Sequence, residues 1–186
     1  MTDRIPQSRI EPVAVAVRRL LYEGEITDLS VRNIAIYVGC SPSTLLHRFG
    51  SRRSLLAHVA QWIGEAWLEV VYRETARGTL EVFGLHEVSG WDHLRGWLAM
   101  GELARGDDWI AREVAAIERE ERRLLERVLP PGTDLATRDA WVALVRGLQH
   151  ALAARVSPLP IEQARAAAQL FTSALSDRPG STPRSA

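Results

Sequence analysis

The sequence predicts an all-helical protein with an N-terminal three-helix helix-turn-helix domain and a larger C-terminal helical domain. Three observations carry this. Apolar residues recur at helical spacing, and strand-type alternation is not sustained anywhere. Ala, Leu, Arg and Glu dominate the chain. The breaks between periodic segments coincide with glycines, prolines and capping side chains.

The first helix is expected from about Glu11 to Glu23, where Val13, Ala16, Val17 and Leu20 recur at i, i+3, i+4 and i+7 and Gly24 is a natural stop. Ser30 is placed to cap a second helix that carries Val31, Ile34, Ala35 and Val38 inward and ends at Gly39. Ser41 caps a third, short helix, Pro42 to about Phe49, with proline at the first position where no N–H is needed. Ser51 caps a fourth, long helix, from about Arg52 to Arg77. Residues 78–90 contain three glycines and read as a loop or broken helix.

Beyond that loop a helix runs from about Trp91 to Ala104. Asp107 or Asp108 caps the next, which reaches about Leu129 with Ile110, Val114, Ile117, Leu124 and Val128 on one face and the charged run Glu118–Arg123 mostly in water. Pro130-Pro131-Gly132 stops it. A helix from about Leu135 to Arg155 and a last one ending near Ser176 complete the core, and a Pro-, Gly- and Ser-rich tail, 177–186, is expected to be disordered.

The chain has 186 residues, 46% hydrophobic and 25% charged, which excludes wholesale disorder and is long enough to bury a core. All 23 strong bases are arginine, balanced by 23 acids. A single cysteine excludes an internal disulfide framework and a cysteine-based zinc site. No apolar run approaches a membrane span, and the N-terminus lacks the apolar core of a secretory signal, so a cytoplasmic location is expected. The zero net charge hides an asymmetry. Residues 1–62 hold eight Arg and five acids, and from Leu29 through Gly64 there is no acid but four Arg and two His. Such a basic stretch inside a neutral chain points to a polyanion, unless it is simply a solvated basic face.

Within that stretch Ala35, Gly39 and Leu45 stand at spacings of four and six. Two short helices cross closely only if the facing residue is small, the turn needs a left-handed backbone, and the second helix needs one large apolar anchor. Ala35, Gly39 and Leu45 meet these needs in turn, as in a helix-turn-helix. The second of the paired helices would enter the major groove and present Ser43, Thr44, His47 and Arg48. Arg48 can donate two bonds to a guanine, and Ser41, Ser43 and Thr44 are short donors for phosphates or bases. Ser30 and Arg32 at the start of the second helix are further candidate DNA contacts, Arg32 to a base or to the backbone. Arg52, with Arg53 and the first N–H groups of the fourth helix, offers a phosphate site.

This stretch resembles the tetracycline-repressor (TetR-like) family of bacterial regulators. The resemblance lies in Ser30-Val31-Arg32-Asn33-Ile34-Ala35, Gly39-Cys40-Ser41, Ser43-Thr44-Leu45-Leu46-His47-Arg48-Phe49 and Ser51-Arg52-Arg53-Ser54-Leu55-Leu56. It covers about 50 N-terminal residues; the remainder matches only in being helical. Three positions depart from the family pattern: Leu46 replaces a tyrosine that contacts phosphate, Arg52 replaces a lysine, and Gly50 replaces a proline.

The resemblance implies a DNA-binding domain at residues 1–52 and an effector-binding and dimerisation domain at 53–176. It also implies a homodimer on a palindromic double-stranded operator, and a small-molecule effector that releases the protein. The dimer would form through the last two helices, from Trp141, Leu144, Val145, Leu148 and Leu152 with Ala167, Leu170, Phe171 and Ala174. Six tryptophans are many for this length. Core packing is their ordinary role; the alternative is an aromatic-lined pocket for an apolar or planar ligand, with Trp67, Trp91, Trp97, Met100 and Trp141 as its lining. No ionisable cluster in the sequence points to a charged ligand. No cofactor or metal is expected: His86 and His93 are seven apart, with Ser89-Gly90 interrupting a shared helix face.

The function expected is a ligand-responsive transcriptional repressor. The alternative is a helical interaction protein of the same fold without sequence-specific DNA binding, a reading that Leu46 keeps open. An enzyme is not expected, because no nucleophile-base pair, phosphate-cradling glycine loop or His-Glu metal motif is present.

Overall fold

A computed structural model describes residues 7–23, 29–76, 88–154 and 157–176. These residues form eight α-helices and no strand: α1 Gln7–Glu23, α2 Val31–Val38, α3 Pro42–Phe49, α4 Arg52–Ala76, α5 Val88–Ala104, α6 Asp108–Glu126, α7 Leu135–Ala153 and α8 Ile161–Ser176. Residues 78–87 of the loop expected at 78–90, the end of the fourth helix at Arg77, the seventh helix's last residue at Arg155 and the tail 177–186 lie outside the described residues.

Three helix limits differ from expectation, each for a local reason. α1 begins at Gln7 rather than Glu11, so Pro12 lies inside it. Proline removes one N–H and crowds the carbonyl four residues back. The added turn carries Ile10, buried on the same stripe as Val13, Ala14 and Val17, and this burial opposes the proline's cost. α5 begins at Val88, so Ser89 and Gly90 are helical rather than a break. Gly90 is buried; packing overrides a helix preference that differs from alanine by only about 1 kcal/mol. α6 ends at Glu126 rather than Leu129. Past it the Arg127 N–H donates to the Leu124 carbonyl and the Leu129 N–H to that of Glu126, both three residues back, so the last turn tightens before Pro130.

The chain forms two compact units, Met1–Val70 with Leu85–Glu121 and Val71–Gly84 with Arg122–Ala186. Most of α4 therefore belongs with the N-terminal helices, and the packing boundary differs from the functional division expected at residue 52.

In the first unit α1 packs on α2 and α5, and α2 on α3. Ile34, Ala35, Leu45, Leu55, Leu56, Val59 and Ile63 are fully or almost fully buried there. Gly64 of α4 faces Ile117 of α6 so closely that an added Cβ would stand 2.6 Å from Ile117 Cγ1. Farther along, the buried Trp67 donates its Nε1–H to Glu121 Oε1 at 2.7 Å. Glu121 is only 1% exposed. The run Glu118–Arg123 was expected mostly in water, and at Glu121 this is corrected. Ile110, Val114, Ile117, Glu121 and Leu124 follow one helical stripe, so Glu121 takes an inward position and needs a donor there.

In the second unit α7 packs on α8. Trp141 is buried, donates its Nε1–H to the Leu125 carbonyl at 2.9 Å and stacks on Phe171 at 5.6 Å. Arg122 bridges α6 to α7, bonding Glu126 and Asp139. The Asp139 hydrogen bond is the main cause holding its pKa above the ordinary arginine value. The expected dimer face is corrected in part: Trp141, Val145 and Leu152 are fully buried and cannot also meet a second chain. Of the same set, Leu170 (73% exposed) and Ala174 stand open one helical turn apart on α8.

Candidate nucleic-acid interface

The geometry of α2, the turn and α3 follows from a few residues. Ser30 is extended and its side chain accepts from the Asn33 N–H at 3.1 Å, which starts α2. Gly39 ends it in the left-handed region, at φ 74° and ψ 34°. The Cys40 N–H then donates to the Ala35 carbonyl and the Gly39 N–H to that of Ile36, the paired bonds of a Schellman cap. A side chain at position 39 would meet no neighbour, so the glycine is there for its backbone. Ser41 starts α3 by accepting from the Thr44 N–H at 3.1 Å, with Pro42 in the first turn.

α3 buries Leu45 and Phe49 and leaves Ser43, Thr44, Leu46, His47 and Arg48 exposed. One face anchors the helix, and the other carries the residues chosen from the sequence for base and phosphate contact. The Ser41 hydroxyl lies 2.8 Å from those of both Ser43 and Thr44, so the three are oriented as a group. Arg32 is exposed in the first turn of α2.

At the start of α4 the folding uses some of the expected phosphate donors. The Ser51 hydroxyl caps the helix through the Ser54 N–H, at 3.0 Å. Arg52 donates its Nε–H to the Leu29 carbonyl at 3.0 Å, which ties α4 to the entry of α2. Arg53 lies 3.4 Å from the carboxylate of Asp107. A stretch without acids in sequence thus acquires one in space.

Large apolar residues of α2 and α3 are exposed as well. Ile36 is 67% exposed, Tyr37 46% and Leu46 39%. Arg19 of α1 covers the Tyr37 ring at 5.9 Å. Sequence reasoning passed over Ile36 and Tyr37; the signal was available, since both fall off the Ile34–Ala35 stripe of a helix whose inward face was already assigned.

No family model matches the chain, and no curated protein matches it. Solved structures do. A protein assigned to the TetR family of transcriptional regulators, from Rhodococcus sp., superposes with a TM-score of 0.71 over 90% of this chain and 98% of its own, at 20% identity. A protein assigned as a transcriptional regulator, from Streptomyces coelicolor A3(2), gives 0.68 over 90% and 99%, also at 20% identity. The multidrug binding protein EbrR, complexed with imidazole, gives 0.54 over 92% and 95% at 17% identity. The chain shares the fold of TetR-family regulators.

Within this TetR-like fold the candidate effector residues are divided between the two units. Trp67, Trp97 and Met100 are buried in the first unit, where Trp91 is half-buried; Trp141 is buried in the second. No helix among the described residues is long and apolar enough to cross a membrane. Among the described residues no three His, Cys, Asp or Glu side chains gather as a metal site. His86 lies outside them, and the break expected between it and His93 is absent at Ser89-Gly90.

Proposed function

We propose that this chain is a ligand-responsive DNA-binding transcriptional regulator. It represses by binding a palindromic double-stranded operator as a homodimer, and a small apolar or aromatic molecule releases it. Residues 1–52 serve DNA, residues 53–176 serve effector and dimer, and the protein works in the cytoplasm without catalytic chemistry. One observation carries the reading: α3 is anchored by Leu45 and Phe49 while its opposite face presents Ser43, Thr44, His47 and Arg48. The fold shared with transcriptional regulators supports it, and the multidrug-binding neighbour supports the effector.

In this reading Ser43, Thr44, His47 and Arg48 meet bases or nearby phosphates. Ser30 and Ser41 set the two helices and lie beside the DNA, Arg32 meets a base or the backbone, and Arg52 meets a phosphate. The Leu29 bond takes one of the five donors of Arg52, which leaves the outer edge of its guanidinium for a phosphate. Leu170 and Ala174 start the dimer contact on α8. Trp67, Trp91, Trp97, Met100 and Trp141 border the effector's space. A second reading, an interaction module that does not read DNA, is favoured by the exposure of Ile36 and Tyr37 on α2 and of Leu46 on α3.

A genomic pull-down with the purified chain at rising salt decides between them. Retention of a short palindromic site near physiological salt is the outcome expected of the regulator. Weak, sequence-independent capture that disappears with salt favours the interaction module.

A further inference from the structure

A cleft of about 280 Å³ opens in the first unit between α1 and α5. Arg18, Arg19 and Arg95 line it together with Asp92, and Val15 and Leu21 supply its apolar wall. Three guanidiniums and one carboxylate thus share a concave place. Order along the chain does not announce it, because α1 and α5 are separated by three intervening helices.

The arginines are braced. Position 96 is glycine, and a Cβ there would stand 3.0 Å from Arg18 Cγ and 3.1 Å from Cδ. The stem of Arg18 therefore lies close against α5, and a side chain at position 96 would push it outward. Arg95 rests over the Trp91 ring at 5.7 Å, and Arg19 over that of Tyr37 at 5.9 Å. Cationic groups already held in place lose less freedom on binding. Guanidinium forks match planar carboxylates and phosphates in two-bond geometry. The volume lies just below the usual range of small-molecule sites, which limits the occupant to a compact body.

We propose that the α1–α5 cleft binds a small amphiphilic anion, a carboxylate or phosphate monoester on a compact apolar group. Arg18 and Arg95 hold the anionic head, and Val15 and Leu21 cover the apolar part. Arg19 joins the cleft to Tyr37 of α2. Given the DNA-binding reading above, on which this last step alone rests, an occupant shifts the packing of α1 on α2 and so the operator affinity.

The test is calorimetric titration of the full chain, without DNA, using benzoate, phenyl phosphate and uncharged benzyl alcohol as probes. One anion is expected to bind once per chain at least about tenfold more tightly than benzyl alcohol, a difference of about 1.4 kcal/mol. Whichever anion binds more tightly identifies the head group. Arg18→Gln and Arg95→Gln are each expected to weaken it by about tenfold, the range of one charge-assisted bond. Gly96→Ala keeps every charge but displaces the Arg18 stem, and is expected to weaken it by a smaller factor. Melting curves confirm that each variant is folded. Equal binding of benzyl alcohol, no binding of either anion, or unchanged binding by folded Arg18→Gln overturns the proposal. Because these titrations contain no DNA, a chain that binds the anion but no operator refutes the regulator reading and leaves the site standing.

Discussion

Gly64→Ala should destabilise the protein although alanine is the better helix former. In an unpacked helix the change is favourable by about 1 kcal/mol. Here the new Cβ would stand 2.6 Å from Ile117 Cγ1, 3.0 Å from Cγ2 and 3.1 Å from Cδ1. Ordinary carbon contacts are about 3.5–4.0 Å, so the shortest falls short by about 1 Å. All three atoms belong to one β-branched side chain, and rotating it exchanges one γ carbon for the other. The strain has to go into the spacing of α4 and α6, an overpacking cost of about 1–3 kcal/mol. The expected net loss is about 1 kcal/mol, with an upper value near 2.

Urea unfolding measures it, with an unchanged slope showing that only stability moved. The decisive comparison is the background. Ile117→Ala alone should cost about 2–5 kcal/mol by leaving a cavity. Adding Gly64→Ala to it should then stabilise, because all three clashing atoms are gone and the helix preference remains. The same sign of effect in both backgrounds would refute the packing argument.

Other substitutions probe different links. Trp67→Phe should cost about 3 kcal/mol by taking a donor from the buried Glu121, while Trp67→Phe with Glu121→Leu should cost less than the single change; additive losses in a double-mutant cycle would contradict this. Gly39→Ala should cost about 1–2 kcal/mol despite the open space around it, because only the left-handed backbone resists; a thermal melt unshifted from the parent would remove that reason. In binding titrations on a site from the pull-down, Arg48→Ala should cost about 1–3 kcal/mol and relax preference at one base pair, whereas Arg52→Ala should weaken all sequences alike and reduce the salt slope by about 1. Unchanged base preference in Arg48→Ala would reassign that residue to the backbone.

The sequence by itself determined the α2–turn–α3 unit closely. Ser30, Gly39, Ser41 and Ser51 act within about five residues of themselves, through caps and a left-handed turn, and Leu45 and Phe49 announce the buried face by their spacing. Local rules therefore located both helices and the exposed residues between their anchors. They served less well where packing competes with local preference, as at Pro12 in α1 and Ser89-Gly90 in α5. Glu121 was legible from the stripe it shares with Ile117 and Leu124, but its charge drew attention to the acidic and basic run instead.

Tertiary structure alone decided which distant residues meet. Asp107 comes to Arg53, Glu121 to Trp67, Ile117 to Gly64, and Arg95 joins Arg18 and Arg19 across a glycine. Each of these depends on how one helix lies against another, and that is set by the sum of many small contacts rather than by any residue's own preference. Charge in space consequently differs from charge along the chain. The stretch without acids gains a carboxylate, and a sequence with no visible ionic cluster gathers three arginines in one cleft.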